Sequence, residues 1–489
     1  MKLKNIYKFL FVLLFIYGCS KDDIFEADPD STVIENFFQS QEDFTLAIRG
    51  AYNRMKSVGY YGGSGASGDL IVVGDLLSDN LITNPDGRGS NLQSHNWLYN
   101  DNTIPTAIYS QAYVAISRAN IILEKIDNLD DGAFKNRIRA EALALRATLH
   151  FDVARFFSQI PTQSSGASSS IGIAYLETFN PLAEPSRLSS VQEVYEKINA
   201  DLDTAASLIG PDITEIGRFN LNTIRGLISR VALYEGDYQR VIDAATPVVD
   251  GVNPASASEL SSLWTSTSSP GVLFELPFIV SDPLLDTNFS QGSGTSIIAE
   301  WSVDKAFYDL YDQANETERI AAYFQILNNW IVVNKYINGN LQTGLNNGRY
   351  LRVEEVILNL AEAHYLKSNS DEAKALETLD KLRNVRYSSF ITGGETSNDL
   401  FDAIMLERRK ELAFESSDRW FTLKRLQNVP GIPAQYKEGV KRSGNGYLAD
   451  GTGTVPSNLN LPAGDFRWQL PIQQTYIDEN PNLEQNPDY

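Results

Sequence analysis

Residues 352–367 read RVEEVILNLAEAHYLK, and this run decides the fold class. Val353, Val356, Ile357, Leu360, Ala361 and His364 recur at the spacing of one apolar helix face. A second helical run, ALETLDKLRNVR, covers 375–386. After the break at Gly393–Gly394 a third reads AIMLERRKELAFESSDRWFTLKR over 403–425. There Glu407, Glu411 and Glu415 repeat every four residues among Arg408, Arg409 and Arg419, beside Leu412, Phe414, Trp420 and Phe421. Helices of this composition dock on one another through ion pairs. These charges are therefore expected to frame the protein rather than to form a reactive cluster.

Working outward, similar runs recur. Helices are expected from Gln41, from near Pro105 to Asp127, over Phe134–Gln159, and from about Ser190 to 209. Ser190 with Glu193 three residues on has the form of a capping box. Two more helices, Thr223–Glu235 and Tyr238–Val249, join through Gly236-Asp237, and YEGDYQRVIDAA has the look of a tetratricopeptide-type turn. The fold class is mainly α: a tetratricopeptide-like helical-pair scaffold with long loops. Residues 250–350 differ, being rich in Ser, Gly, Thr and Asn with strand-like runs at Gly271–Pro277 and Trp330–Tyr336. They are expected to form an irregular α/β subdomain inserted in one domain covering 41–489, although length alone would allow about three domains.

Composition excludes several functions. The 489 residues are 43% hydrophobic, enough for a large core, and carry a net charge of −21. An acidic chain with no basic cluster repels nucleic acid phosphate. Three histidines (His95, His150, His364) and one cysteine leave little for a metal site or a thiol active site, and no metal or cofactor is expected. No Gly-rich phosphate loop of Walker form is present. Glycoside hydrolysis needs two carboxylates set across a cleft, and nothing in the sequence marks such a pair.

The N-terminus sets the compartment. Lys2, Lys4 and Lys8 precede an apolar run, Phe9–Tyr17, too short to span a bilayer but suited to a secretory signal. Removing residues 1–18 takes the charge to −24. The run ends Ile16-Tyr17-Gly18-Cys19, which resembles a bacterial lipobox, so Cys19 is the expected lipidation site. Cys19 has no possible disulfide partner in the chain. Ser20-Lys21-Asp22-Asp23 resembles a surface-export signal of Bacteroidetes lipoproteins. Residues 19–40 are expected to be a lipidated tether.

The ordered set of these pieces resembles the RagB/SusD-like outer-membrane nutrient-binding lipoproteins of Bacteroidetes. The matching residues include Arg49-Gly50-Ala51-Tyr52, Glu141-Ala142-Leu143, Glu193-Val194-Tyr195, Arg352 with Glu355, Leu358-Asn359-Leu360-Ala361-Glu362-Ala363, Glu407-Arg408-Arg409, Arg419-Trp420 and Asn480-Pro481-Asn482-Leu483. Ser158-Gln159 stands where the family often has Tyr-Gly. The resemblance implies a non-enzymatic protein on the outer face of the outer membrane. It would cap a SusC-like TonB-dependent transporter, bind a polysaccharide or oligosaccharide, and pass it inward. A non-carbohydrate nutrient such as a peptide, or a pure interaction scaffold, is the alternative.

Sugars stack their C–H faces on aromatic rings while planar polar groups hold the hydroxyls, and loops on a rigid scaffold display such groups. Residues 60–102 suit this best, and the resemblance points to the same segment, ahead of the helix near 105. Trp97 is the expected platform, with Tyr99 beside it; Arg88, Asp79 and Asn102 are the expected hydroxyl contacts, with Asp75 and Asn80 nearby. Tyr61, with Tyr60, lies in a Gly-rich loop suited to closing on ligand. Trp301 and Trp330, with Trp264, are candidates for a second wall. His95 is expected to be exposed in this loop, and His364 to lie in the core.

Overall fold

The structure, a computed structural model, describes residues 34–63, 70–210, 215–291, 297–340, 342–444, 446, 448–453 and 459–489. The expected signal peptide, Cys19 and most of the tether lie outside them. The helices of eight residues or more are numbered here α1 Gln41–Arg54, α2 Ile108–Lys125, α3 Ala133–Phe157, α4 Val191–Leu208, α5 Leu221–Glu235, α6 Tyr238–Gly251, α7 Val353–Leu366, α8 Glu372–Arg383, α9 Ser397–Glu411 and α10 Asp418–Arg425. Each long helix anticipated from periodicity is present, except that the run 403–425, expected as one helix, is divided into α9 and α10 by a turn at residues 412–417.

Their ends follow from capping chemistry. Ser40 and Asp43 close a reciprocal box at the start of α1. At α4 only half of the expected box forms. The Ser190 Oγ accepts from the Glu193 N–H at 3.1 Å, while the Glu193 carboxylate takes the Ser189 hydroxyl instead. The join between α5 and α6 is a Schellman turn. Gly236 sits at φ +77°, the Asp237 N–H donates to Ala232 O at 3.0 Å, and Asp237 then caps α6 through the Arg240 N–H. Asp237 thus both ends one helix and starts the next.

The helices α2 to α7 pack in succession, α1 lies against α2 and α3, and α8 and α9 both lie on α7. α3 is buried almost continuously from Ile138 to Phe157 and forms the axis of the core. The fold begins earlier than the expected tether boundary. Phe38 is buried and packs on Phe44 with ring centroids 5.0 Å apart, and Asn128 Nδ2 donates to Phe38 O.

The insertion is closed by its own ends. Strand Val272–Leu276 pairs antiparallel with Gly348–Arg352, matching Val272 with Arg352 and Leu276 with Gly348. Within it, Phe324–Leu327 forms a hairpin with Trp330–Val333. Both anticipated strand-like runs are strands.

The charges of the opening stretch are deeply buried and pair differently from a helix-surface ladder. The Glu411 carboxylate meets Arg352 at 3.0 Å, Arg386 at 2.8 Å and Arg319 at 2.9 Å. Glu407 pairs with Arg319 at 2.7 Å, and Glu415 with Arg352 at 2.8 Å and Lys335 at 2.7 Å. Glu354 and Glu316 join through Arg386, Arg352, Arg319 and Lys410. Five cations and five carboxylates therefore form one net that is neutral overall, drawn from the insertion, α7, α9 and the segments after α8 and α9. Arg408, Arg409 and Arg419 stand apart from it: Arg408 pairs with Asp418, and the other two with Asp79.

Removing one partner of a buried pair leaves an uncompensated charge in low dielectric. Glu411→Gln is expected to cost about 3–5 kcal/mol of unfolding free energy in a urea titration. A loss no larger than the ~1 kcal/mol of an exposed pair would refute this account. Burial raises the Glu411 carboxyl, but Arg386, Arg319 and Arg352 outweigh it and hold it well below the ordinary carboxylate range. Glu407 is likewise held low, by Arg319 and Lys410 against its burial. Carboxyls depressed by folding contribute fully above their unfolded value and lose that contribution as pH falls toward the folded one. Stability should persist down to about pH 4.3, the unfolded glutamate value, and fall below it. Unfolding curves that do not weaken between about pH 4 and pH 3 would count against the net.

Candidate functional site

The segment 81–104 is pinned to the insertion and framed by the opening stretch. Leu81–Thr83 pairs antiparallel with Trp301–Val303. The Asn84-Pro85-Asp86-Gly87 turn forms as expected, with the Gly87 and Asp86 N–H groups donating to Asn84 O and Oδ1, both at 3.0 Å. The chain then wraps a single buried carboxylate. Glu300 accepts from the Arg88 N–H at 3.0 Å, Arg88 Nε at 3.1 Å, the Ser90 N–H at 3.0 Å and Gln291 Nε2 at 2.7 Å. Burial pushes this carboxyl up, but the loop N–H groups and the Arg88 guanidinium prevail and hold it below its ordinary value. Glu300 therefore fixes where residues 88–90 emerge.

Beyond it lies a short helix, Leu92–His95, and then Trp97 with a left-handed backbone at φ +53°. Asn100 Oδ1 accepts from the Asn102 and Thr103 N–H groups and closes the next turn. Residues Gly89, Asn91, Gln93, Ser94, Thr103 and Ile104, with Leu92, line a recess of about 440 Å³. Leu92 and Leu98 present apolar surface here, 43% and 59% exposed. Arg88 and Asn102 are exposed at the same ledge.

The other expected contacts are buried. Trp97 is 2% exposed; its indole Nε1 donates to Leu77 O at 3.0 Å, and the Arg442 guanidinium lies 3.9 Å over its ring. It supports the ledge from below and is not an open platform in this conformation. Tyr99 is buried with its hydroxyl donating to Arg467 O. Asp79 is clamped by Arg419 at 2.7 Å and Arg409 at 3.2 Å. Burial raises its carboxyl, and these two guanidiniums more than reverse that, holding it far below the usual range. Asn80 and Asp75 are buried against each other at 2.7 Å, and burial raises the Asp75 carboxyl to about 7. Tyr61 donates to Arg349 O at 2.7 Å, and Tyr60 donates to Asp152, both from within the core.

Trp301 is buried against His95 with ring centroids 5.2 Å apart, so His95 is not the exposed residue anticipated. Trp330 belongs to a small satellite core with Ile297, Ala299, Val332 and Ile337, and Trp264 to the main one. The three tryptophans thus pack rather than form an open wall. His364 is buried, as expected. The residues missed were the supports: Glu300 and Arg442 lie hundreds of positions from the loop, and no local pattern connects them to it. Among the described residues, no group of His, Cys, Asp and Glu is placed to hold a metal ion.

Two family profiles match the chain: the SusD family over residues 278–489, and a family described as "Starch-binding associating with outer membrane" over residues 27–233. The chain belongs to the SusD/RagB-like family. A SusD-like protein, P25 of Formosa agariphila, is 26% identical over 167 residues, 33% of this chain and 31% of that protein; the match thus spans about a third of this relative. A SusD superfamily structure from Bacteroides thetaiotaomicron superposes with a TM-score of 0.74 at 25% identity, covering 92% of this chain and 100% of the other. Surface glycan-binding protein A of Bacteroides uniformis shares the fold, with a TM-score of 0.71 at 18% identity over 91% of this chain and 99% of its own.

Two measurements test the support scheme. Trp97→Ala is expected to cost about 3–5 kcal/mol in stability, the usual loss for a buried large aromatic; a change indistinguishable from a surface substitution would show that the ring is not packed. Glu300→Gln should speed amide hydrogen exchange at Arg88 and Ser90 by at least about tenfold, since both N–H groups lose a charged acceptor. Unchanged exchange there would sink the anchoring role.

Proposed function

We propose that this chain is a surface lipoprotein, anchored in the outer membrane through Cys19, that binds a glycan and delivers it to a SusC-type TonB-dependent transporter which it caps. The reading rests on the family and on one feature of the geometry. Residues 89–104 form an outward recess lined by the carboxamides of Asn91 and Gln93 and the hydroxyls of Ser94 and Thr103, with Arg88 and Asn102 exposed beside it and apolar surface at Leu92 and Leu98. Planar polar groups beside apolar surface match a sugar's hydroxyl rim and C–H face. Arg88 and Asn102 are the contacts, joined by Gln93 and Thr103. Trp97, Tyr99, Asp79 and Trp301 act from beneath by supporting the loop, while Tyr61 and Trp330 belong to the packed cores. The protein works as a binder, not an enzyme, and neither the ledge nor the family calls for a cofactor.

Purified protein run through native gels containing different polysaccharides should be retarded by at least one, with no reducing ends released. Replacing both Arg88 and Asn102 by Ala should abolish that retardation, and Asn102→Ala alone should weaken it while leaving the melting temperature near the wild-type value. Release of reducing ends would make the protein a hydrolase. Retardation by none, together with binding of peptides, would assign a non-carbohydrate nutrient. The anchor is tested separately: Cys19→Ala protein should leave the outer-membrane fraction, and its retention there would refute lipidation at that residue.

A further inference from the structure

A second concavity, of about 770 Å³, opens where the end of α3 meets residues 464–469 and 484–488. Its polar groups are fixed in place. Asn486 is 3% exposed and donates both Nδ2 hydrogens, to Phe157 O at 2.8 Å and Leu470 O at 2.7 Å. Those two carbonyls decide which way the carboxamide faces, and its Oδ1 accepts from no donor among the described residues. Gln159 Oε1 accepts from the Ser164 hydroxyl at 2.6 Å, so its Nε2 hydrogens remain available. Gln469 donates to Gln163 Oε1 at 2.9 Å and keeps its own Oε1. The lining thus offers a positioned donor and two positioned acceptors, the pairing that neighbouring sugar hydroxyls need.

An aromatic ring stands at the same recess. Phe466 is 37% exposed, and Tyr489 braces it edge-on with centroids 4.9 Å apart. Beneath this segment Trp468 stacks on Trp420 with ring centroids 4.2 Å apart. Glu484 and Asp488 contribute negative charge, Asp465 is neutralised by Arg467 at 2.7 Å, and no lysine or arginine lines the recess itself. Sulphated or uronic chains would be repelled here.

The recess adjoins the ledge. Arg467 Nη1 donates to Trp97 O at 3.3 Å, the Tyr99 hydroxyl donates to Arg467 O, and the Gln474 N–H donates to Asp101 O at 2.9 Å. We propose that this recess is a second carbohydrate subsite, selective for uncharged sugar units. Together with the ledge it takes a chain of several units, with Phe466 as the stacking surface and Gln159, Gln469 and Asn486 as hydroxyl partners. The proposal rests on the glycan-binding reading above.

Calorimetric titration of the full mature chain with neutral oligosaccharide pairs tests it: maltotriose and maltoheptaose, laminaritriose and laminarihexaose, cellotriose and cellohexaose. For at least one pair the longer chain should bind more tightly. The double variant Phe466→Ala with Gln159→Ala should weaken the longer chain on the order of tenfold, the scale of one lost ring contact with its hydrogen bond, and leave the trisaccharide unchanged. Gln159→Ala alone, which spares the Phe466–Tyr489 packing, should weaken it in the same direction. The subsite is overturned if the recess variants bind the longer chain as wild type does, if both lengths bind alike, or if wild type binds none of these neutral chains. An Arg88→Ala with Asn102→Ala variant that keeps full trisaccharide affinity would instead refute the ledge reading and leave the recess result standing.

Discussion

Three guanidiniums share the Glu411 carboxylate, and the architecture depends on that meeting. Arg319, Arg352 and Arg386 would repel one another in an apolar interior, and each alone would carry a heavy desolvation cost. Glu411 sits between them, and the outlying carboxylates of Glu316, Glu354, Glu407 and Glu415 bring the net to neutrality with Lys335 and Lys410. A net of this kind specifies geometry more than it adds stability. Apolar side chains of equal volume would tolerate many relative placements of insertion and scaffold; the charges tolerate few.

That constraint extends to the turn between α9 and α10. Phe414, Ser416 and Ser417 all adopt left-handed backbone conformations, at φ +64°, +48° and +58°, where residues with a side chain seldom lie. Neighbouring groups hold the turn there. Lys335 Nζ donates to Ala413 O at 2.8 Å, the Tyr336 hydroxyl to Phe414 O at 2.8 Å, and the Ser417 hydroxyl to Leu70 O at 2.8 Å. Gly74 approaches Ser417 so closely that a Cβ on it would lie 2.4 Å from the serine Cβ. The turn delivers Arg419 beside Arg409 to Asp79, at the base of the candidate loop. The opening stretch therefore does more than identify the family. It builds the floor on which the ledge rests.

Much of the frame was legible because helices announce themselves locally. Apolar spacing, the Gly236-Asp237 join and the Ser190 cap depend on residues within a few positions of one another. The charge net was legible only as charge. Glu407, Glu411 and Glu415 read as a helix ladder, but their partners Arg319 and Lys335 lie in the insertion, and no spacing rule reaches that far. The same limit explains the site. Trp97 and Tyr99 fall in a polar loop and invite a reading as exposed platforms. Arg442 and Arg467, which cover them, come from the C-terminal segments. Asn102 keeps the expected exposure because Asn100 is satisfied by backbone N–H groups, and Arg88 stays at the surface although its guanidinium reaches back to Glu300.

A shallow ledge with its large aromatics turned inward has a further consequence for how a polymer would be held. Little of one sugar's surface can be removed from water at such a site, so a single unit would be bound weakly once the cost of association is met. Rigid support lowers that cost, because the loop need not be ordered on binding. The larger gain comes from length. A chain held at the ledge presents its next units at high effective concentration to any adjoining surface that matches them. Weak, linked contacts would also let a bound chain leave readily, since each one breaks separately and no deep pocket has to open.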